Sequence, residues 1–198
     1  MTANEQTALR EILTEVPEEI CVTLIWKCVG SDIRRKKAVL WFPEFFEESI
    51  ENTPARILSV QTHGSGMFYR NCFQGKVFQF TEYDKRFETA CALESERFLM
   101  ELVTGRLMYP IELAEKAKKK YEEFLYQHRS AMLKYWIDEK REEELEWIIE
   151  VYPHKREEQA EYQEIMEYAA RKGTPAMISS LMDYGRKLFP PKRKNFEL

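Results

Sequence analysis

Apolar and polar positions follow two different patterns along the chain, and the change occurs near residue 82. Up to about Thr81, β-branched and aromatic runs of strand length alternate with glycine and asparagine. From about Glu82 onward, apolar residues recur at helical spacing within long charged segments. We therefore predict an α+β fold, with a small N-terminal α/β-mixed segment of antiparallel strands at residues 1–82 and a helical region at residues 83–198.

The pattern of the N-terminal segment predicts one or two helices and several strands. Apolar residues share one face of a helix between Glu5 and Glu15, and Pro17 ends it. The stretch Glu44–Asn52 also has a helix-forming composition. The predicted strands are Cys21–Lys27, Lys37–Phe42, Arg56–Gln61 and, as two shorter candidates, Met67–Tyr69 and Lys76–Phe80.

Beyond residue 83 the spacing predicts amphipathic helices with one apolar face each. The first runs from about Lys85 to Gly105, and Pro110 separates it from a long helix whose apolar face extends over Tyr121–Trp136. Two further apolar stripes lie at Tyr162–Ala169 and Met177–Met182. A helix with a single apolar stripe needs a neighbour to cover it, as in helical repeat stacks.

A shift of 33 residues places apolar residues opposite apolar residues at seven positions. Glu144 falls opposite Met177 and breaks the match at one core position. The period predicts two stacked helical pairs, with at most one degraded copy further upstream. The matching residues are Met132, Leu133, Trp136, Ile137, Leu145, Ile148 and Ile149, paired in order with Ile165, Met166, Ala169, Ala170, Ile178, Leu181 and Met182.

The second copy of this period resembles the second half of an ankyrin repeat. Ala169-Ala170 and Gly173 stand where two alanines and a glycine close the first helix of that repeat. We expect Gly173 to supply a positive φ in a tight helix-to-helix turn. Thr174 is predicted to cap the next helix, with Pro175 at its first position.

A broader resemblance covers Tyr83 to Phe189, through Leu107–Pro110, Tyr121–Leu125 and Leu181–Tyr184. This region looks like the ankyrin-like helical tail of uncharacterised leucine-rich-repeat proteins from Firmicutes. The resemblance implies a stack of helical repeats that binds another protein through a broad polar surface.

Composition is that of a folded domain, with 44% apolar, 13% aromatic and 32% charged residues in 198. A net charge of −4 does not favour direct binding of nucleic acid or of a membrane surface. The start of the chain shows no secretory signal, and the longest uncharged apolar run, Ile20–Trp26, is far shorter than a spanning helix. We expect a cytoplasmic protein whose partner is another protein.

Charge is concentrated in two parts of the helical region. Between Asp138 and Glu167 there are twelve acidic and four basic residues, whereas basic residues crowd the end of the chain. Either segment could be a solvated surface or a docking surface for a partner. The predicted interaction candidates are Glu142, Glu143, Glu146, Arg186, Lys187, Lys192, Arg193 and Lys194.

Motifs for catalysis, metal binding or cofactor binding are not evident, and we predict no catalytic residue, metal or cofactor. The three histidines form no HExxH motif, and the four cysteines form no CxxC pair and are expected to be buried thiols. His128 falls on an apolar helix face and is expected to be buried or half-buried there. His63 and Cys72, on either side of a glycine-rich turn, come nearest to a nucleophilic pair.

These observations favour a non-enzymatic protein–protein interaction module built on a helical repeat surface. One alternative is an inhibitor from a phage or mobile element, whose acidic helix would block a nucleic-acid-binding bacterial defence effector. A third hypothesis is a hydrolase or transferase that uses Cys72 or His63.

Overall fold

The structure, a computed structural model, describes residues 3–26, 36–52 and 57–190. Within them, antiparallel strand pairs in the N-terminal part precede a helical C-terminal region, which confirms the predicted α+β class. The strands are β1 (Ile20–Trp26), β2 (Lys36–Phe42), β3 (Phe46–Asn52), β4 (Ile57–His63), β5 (Phe73–Gln74) and β6 (Val77–Phe78). The helices are α1 (Ala3–Glu15), α2 (Gly66–Arg70), α3 (Phe80–Lys85), α4 (Phe87–Leu93), α5 (Glu96–Met108), α6 (Glu115–Asp138), α7 (Glu142–Val151), α8 (Gln159–Lys172) and α9 (Pro175–Leu188).

Each strand pairs with its neighbour in sequence, as β1–β2, β3–β4 and β5–β6. Along β2 the side chains of Ala38, Leu40 and Phe42 are buried and alternate with more exposed ones, as expected for a sheet with one buried face. Helix α5 packs against β2. Gly105 permits this close approach, because a Cβ at this position would lie 3.0 Å from the Val39 carbonyl oxygen.

Three local predictions were wrong. Glu44–Asn52 was predicted as helix, but β3 pairs over its whole length with β4, from Phe46 opposite His63 to Asn52 opposite Ile57. Met67–Tyr69 was predicted as a strand, but it lies in α2. The helix predicted from Lys85 to Gly105 is divided into α3, α4 and α5, and Ser95 caps α5 by accepting a hydrogen bond from the Phe98 amide at 3.2 Å.

Contacts divide the chain into two compact units, Met1–Glu123 and Phe124–Leu198. The compositional boundary at residue 82 lies inside the first unit, and the division into 1–82 and 83–198 stays a prediction. Among the helices of the described residues, none has the length and apolar character needed to cross a membrane.

In the first unit a buried ion pair and a tyrosine hydroxyl connect three helices. Arg106 on α5 donates hydrogen bonds to both carboxylate oxygens of Asp84 on α3, at 2.8 and 2.9 Å. The Tyr121 hydroxyl on α6 donates to Asp84 Oδ1 at 2.9 Å. Burial alone would lower the pKa of Arg106, but the hydrogen bonds and charge of Asp84 outweigh burial and raise it. Arg106 therefore keeps its charge in the interior, and its hydrogen bonds to the Asp84 side chain compensate its burial.

The second unit contains the C-terminal part of α6 with α7, the α6–α7 pair, and α8 with α9, the α8–α9 pair. Hydrogen bonds join residues of the two pairs that are 30 to 34 positions apart. This separation is the one that stacked repeats of about 33 residues produce. The bonds are Arg129 to Glu161 at 2.8 Å, Lys134 to Glu164 at 2.5 Å, Tyr168 to Asp138 at 2.6 Å, Thr174 to Glu142 at 2.5 Å and Ser180 to Glu146 at 2.5 Å.

The residues between α8 and α9 start helix α9 as predicted, but the backbone conformation at Gly173 differs from the prediction. Thr174 Oγ1 accepts a hydrogen bond from the Met177 amide at 3.2 Å, and Pro175 is the first residue of α9. The prediction of a positive φ at Gly173 was wrong, because this residue has an extended backbone with φ −74° and ψ 168°. Glycine is required for space instead, since a Cβ would lie 2.7 Å from the Ala169 carbonyl oxygen.

Candidate functional site

Helices α7 and α9 border an open groove of about 480 Å³ in the second unit, here called the α7–α9 groove. The three lining residues on α7 are spaced at i, i+3 and i+4, and those on α9 at i, i+3, i+4, i+7 and i+8, which places each set on one helix face. Pro153 lies just after the end of α7. The groove is therefore formed by one face of α7 and the neighbouring face of α9. The lining residues are Glu146, Ile149, Glu150, Pro153, Ser180, Asp183, Tyr184, Lys187 and Leu188.

Three apolar and four exposed charged residues line the groove, and these two sets are here called its apolar floor and its charged rim. Ile149, Pro153 and Leu188 contribute apolar surface along it. The rim carries three carboxylates against one ammonium group, so its charge is negative. These charged residues are Glu146, Glu150, Asp183 and Lys187. Such a surface can desolvate an apolar anchor and select basic groups around it.

Two of the predicted acidic candidates also hold α7 against the α8–α9 pair. The Thr174 hydroxyl donates to Glu142 Oε1, and the Ser180 hydroxyl donates to Glu146 Oε1, each at 2.5 Å. Both glutamates remain exposed. They therefore fix the spacing of the two helices that border the groove while presenting charge at the surface.

The structure brings some predicted candidates together and separates others. Glu146 and Lys187 line the same groove, although the sequence placed them in different charged segments. Glu143 is exposed on α7 and Arg186 is exposed on α9, but neither lines the groove. Arg186 donates a hydrogen bond to Asp183 at 3.1 Å. The predicted candidates that lie outside the described residues are Lys192, Arg193 and Lys194.

A buried polar cluster orients Tyr184 at the groove. The Tyr184 hydroxyl accepts a hydrogen bond from the His154 amide and lies 3.0 Å from His154 Nδ1. Burial, and then the charge of Arg129, lower the pKa of His154, so that its ring is neutral at pH 7. Arg129 in turn donates to Glu158 at 2.7 Å and to Glu161 at 2.8 Å. These contacts hold the tyrosine in one position, so this part of the groove is preformed.

Sequence reasoning missed Glu150, Asp183 and Tyr184 as lining residues, and it gave His154 no role. A signal for the first three existed. Each lies three or four positions from another lining residue on its own helix, and a helical projection of both segments would have grouped them. The burial of His154 depends on contacts with residues far along the chain and has no such local signal.

His63 and Cys72 each have separate surroundings in the first unit. The Cys72 thiol is buried and donates to the Phe68 carbonyl oxygen at 3.3 Å, and burial raises the pKa of Cys72 to about 11. The ring of His63 stacks on Phe46, with ring centroids 4.6 Å apart, and its Nε2 lies 3.5 Å from Glu48. At pH 7 the Cys72 thiol is therefore neutral and closed to solvent, which is unlike a nucleophilic cysteine.

The other histidine and cysteine predictions had mixed outcomes. His128 is half-buried as predicted and stacks on Phe124, with ring centroids 4.2 Å apart. Cys72 is buried as predicted, but Cys21 and Cys91 are exposed, which corrects the expectation for them. Cys28 lies outside the described residues.

In the parts of the chain that the structure describes, no group of three or more His, Cys, Asp or Glu side chains is placed to hold a metal ion. The chain was compared with protein-family models, with curated proteins and with solved structures, and none of the three comparisons finds a match.

Proposed function

We propose that this chain is a non-enzymatic protein–protein interaction module that holds a segment of another protein in the α7–α9 groove. The observation that carries the proposal is the groove itself, in which an apolar floor is bordered by exposed charged groups on two helices. Interfaces of this kind gain affinity from the desolvated apolar centre and specificity from the polar rim.

The groove is preformed, which lowers the conformational entropy lost on binding. Helix α7 is tied to the α8–α9 pair by Glu142 and Glu146, and Tyr184 is held by His154. Few side chains must therefore be ordered when a partner binds. The excess of carboxylates at the rim favours a partner segment that carries basic residues next to an apolar anchor.

The resemblance to an ankyrin-like helical tail supports the same proposal. Repeats of that kind bind partners through surfaces formed by neighbouring helices, and the hydrogen bonds between the two helical pairs have the separation that such a repeat requires. A cytoplasmic location is part of the proposal and rests on the sequence alone.

The second candidate is the inhibitor that uses an acidic helix in place of nucleic acid. Exposed carboxylates on α7 favour it, namely Glu142, Glu143 and Glu146. It ranks lower because two of these three accept hydrogen bonds from residues of the α8–α9 pair, which leaves them less available to a partner. The hydrolase or transferase hypothesis ranks third because the pKa of Cys72 is raised.

Capture of partners with matched variants tests the proposal. The chain carries a photo-activated crosslinking amino acid in place of Leu188 and is irradiated in extracts of the cells that encode it. A protein crosslinked there should be lost when Glu150→Lys reverses a rim charge. Glu139→Lys is the matched control, because Glu139 is also exposed but lies outside the groove, and it should leave the crosslink unchanged.

Each other outcome has a defined meaning. No crosslinked protein at position 188, or a crosslink insensitive to Glu150→Lys, contradicts the proposal. If the captured protein binds nucleic acid and is released both by DNA and by moderate salt, the inhibitor hypothesis is favoured instead, since contacts between exposed charges are screened by salt.

A further inference from the structure

The two helices that border the α7–α9 groove run in the same direction. Thr174, which caps α9, donates a hydrogen bond to Glu142, the first residue of α7. Further along both helices, Ser180 on α9 donates to Glu146 on α7. A helix carries a partial negative charge at its C-terminal end. The partial negative charges of α7 and α9 therefore lie at the same end of the groove.

The charged rim has a fixed order along this direction. Lys187 lies at the end of the groove where α7 and α9 finish. Asp183 precedes it by one turn of α9, and Glu150 lies one turn beyond Glu146 on α7. Glu146 itself is level with Ser180, about two turns before Lys187. From the C-terminal end of the two helices to their N-terminal end, the rim presents one ammonium group and then three carboxylates.

The groove offers side chains to a partner but no strand edge. Its lining residues, all within the described part of the chain, belong to α7, to α9 and to Pro153 just after α7. The hydroxyls of Ser180 and Tyr184 already bond to other residues of the chain. An extended segment would therefore leave amides and carbonyls unpaired where it covers the apolar floor, whereas a helix bonds these groups within itself.

Resting on the proposed function, we infer that the partner segment is an amphipathic α-helix that lies antiparallel to α7 and α9. Its first turn carries an acidic residue opposite Lys187, and basic residues one and two turns later face Glu150 and Glu146. The antiparallel direction sets its N-terminal end beside the C-terminal ends of both bordering helices, where the helix dipoles attract each other. An acidic first turn and basic later turns also suit the dipole of the partner helix itself.

The groove has the length of two helical turns. Ser180 and Leu188 are eight positions apart on α9, which corresponds to about 12 Å along the axis. Apolar residues at i, i+3 or i+4, and i+7 of the partner helix therefore cover the floor formed by Ile149, Pro153 and Leu188.

Selection from two peptide libraries on the intact chain tests the inference. One library varies the surface of an alanine-rich helix of about 16 residues, and the other has linear peptides of the same length with central prolines that prevent a helix. The helical library should yield binders with the inferred charge order, and the proline library should yield none. Glu150→Lys should weaken these binders about tenfold, whereas the control Glu139→Lys should not.

Reversed peptides and a spin label test the direction of the partner helix. A selected helix rewritten in reverse order has the same composition, and it should bind about tenfold more weakly. A nitroxide at the N-terminus of the selected helix should broaden the amide NMR signal of Leu188 more than that of Ser180. In Lys187→Glu, selection should replace the acidic residue of the first turn by a basic one.

The inference is overturned by helices with the opposite charge order, by stronger broadening at Ser180, or by binders from the proline library alone. It is also overturned if neither library yields a binder sensitive to Glu150→Lys. None of these results contradicts the proposed function as long as a protein is crosslinked at position 188. Conversely, if cell extracts give no such crosslink, the proposed function fails even when the helical library yields the expected binders.

Discussion

Gly185 lies where α9 passes closest to Tyr162 of α8. A Cβ at this position would overlap the Tyr162 hydroxyl and ring, and that hydroxyl donates to the Leu181 carbonyl oxygen at 2.9 Å. In an open helix Gly→Ala stabilises by about 0.5–1 kcal/mol. Here the added methyl must displace a packed tyrosine, so we expect Gly185→Ala to lower the free energy of unfolding by about 1–3 kcal/mol, measured by urea denaturation.

The same substitution in a chain that also carries Tyr162→Ala separates the steric effect of the added Cβ from its effect on helix propensity. When Tyr162→Ala removes the ring, Gly185→Ala should become stabilising by up to about 1 kcal/mol, because only the propensity effect remains. If Gly185→Ala stabilises the wild-type chain, or destabilises both backgrounds equally, then the close approach of α8 and α9 is not the reason for this glycine.

The role of a single residue could be predicted from the sequence where it depends on adjacent residues, but not where it depends on a residue packed against it from elsewhere in the chain. The cap at Thr174 and the proline after it follow from the chemistry of a helix start, and both are found. Gly173 was correctly singled out for the wrong reason, since the Ala169 carbonyl and not a positive φ requires it. The requirement at Gly185 comes from Tyr162, twenty-three positions away, and no local pattern shows it.

His154 lies in the connection between α7 and α8 and contacts the Tyr184 hydroxyl on α9. Its ring is buried beside Tyr162 and Tyr184, and burial, followed by the charge of Arg129, lowers its pKa. An unfolded histidine titrates near pH 6.5, so protonation favours the unfolded chain at lower pH. Stability should be fully present above about pH 6.5 and fall as the pH decreases below it, by no more than about 1.4 kcal/mol per pH unit.

Urea denaturation at about pH 7.5 and pH 5.5 measures this loss, and His154→Leu supplies the comparison. This variant should lose most of the pH dependence in that window, whatever its absolute stability. The carboxylates Asp138 and Glu158, whose pKa values are lowered, contribute only below about pH 5. Equal pH dependence in the wild type and the variant would show that His154 is not the group responsible.

Whole elements were predicted best where periodicity alone defines them. The apolar stripes predicted α6, α8 and α9, because an amphipathic helix has its signal within its own sequence. β3 was missed because glutamate-rich Glu44–Asn52 has a helical composition, and only pairing with β4 makes it a strand. Strand formation depends on such distant partners more than helix formation does.

At the scale of the molecule, the 33-residue period was the most informative feature of the sequence, because it relates distant segments. It anticipated the stacking of α8–α9 on α6–α7, which hydrogen bonds such as Tyr168 to Asp138 display. The α7–α9 groove could not be predicted from charge alone. Its members come from the acidic segment around α7 and from α9, and only the packing of α9 against α7 brings Glu146 and Lys187 to one site.

The division into two units predicts that a destabilising substitution in one unit increases hydrogen exchange mainly in that unit. Asp84→Asn leaves the buried Arg106 guanidinium without a charged partner, which should cost about 3–5 kcal/mol. Hydrogen exchange measured by mass spectrometry should then accelerate in α3 and α5 and remain unchanged in α8 and α9. Asp183→Asn, which removes an exposed Asp–Arg pair, is the control and should accelerate neither.

Helix α6 is the element through which faster exchange could spread beyond the first unit, because it runs without interruption through the boundary between Glu123 and Phe124. In Asp84→Asn the Tyr121 hydroxyl of its first part faces a neutral amide in place of a carboxylate, whereas Met132 and Trp136 in its second part stay buried in the second unit. Exchange in α6 should therefore increase before residue 124 and stay slow after it. Uniform acceleration along α6, α8 and α9 would show instead that the helix couples the two units into one cooperative structure.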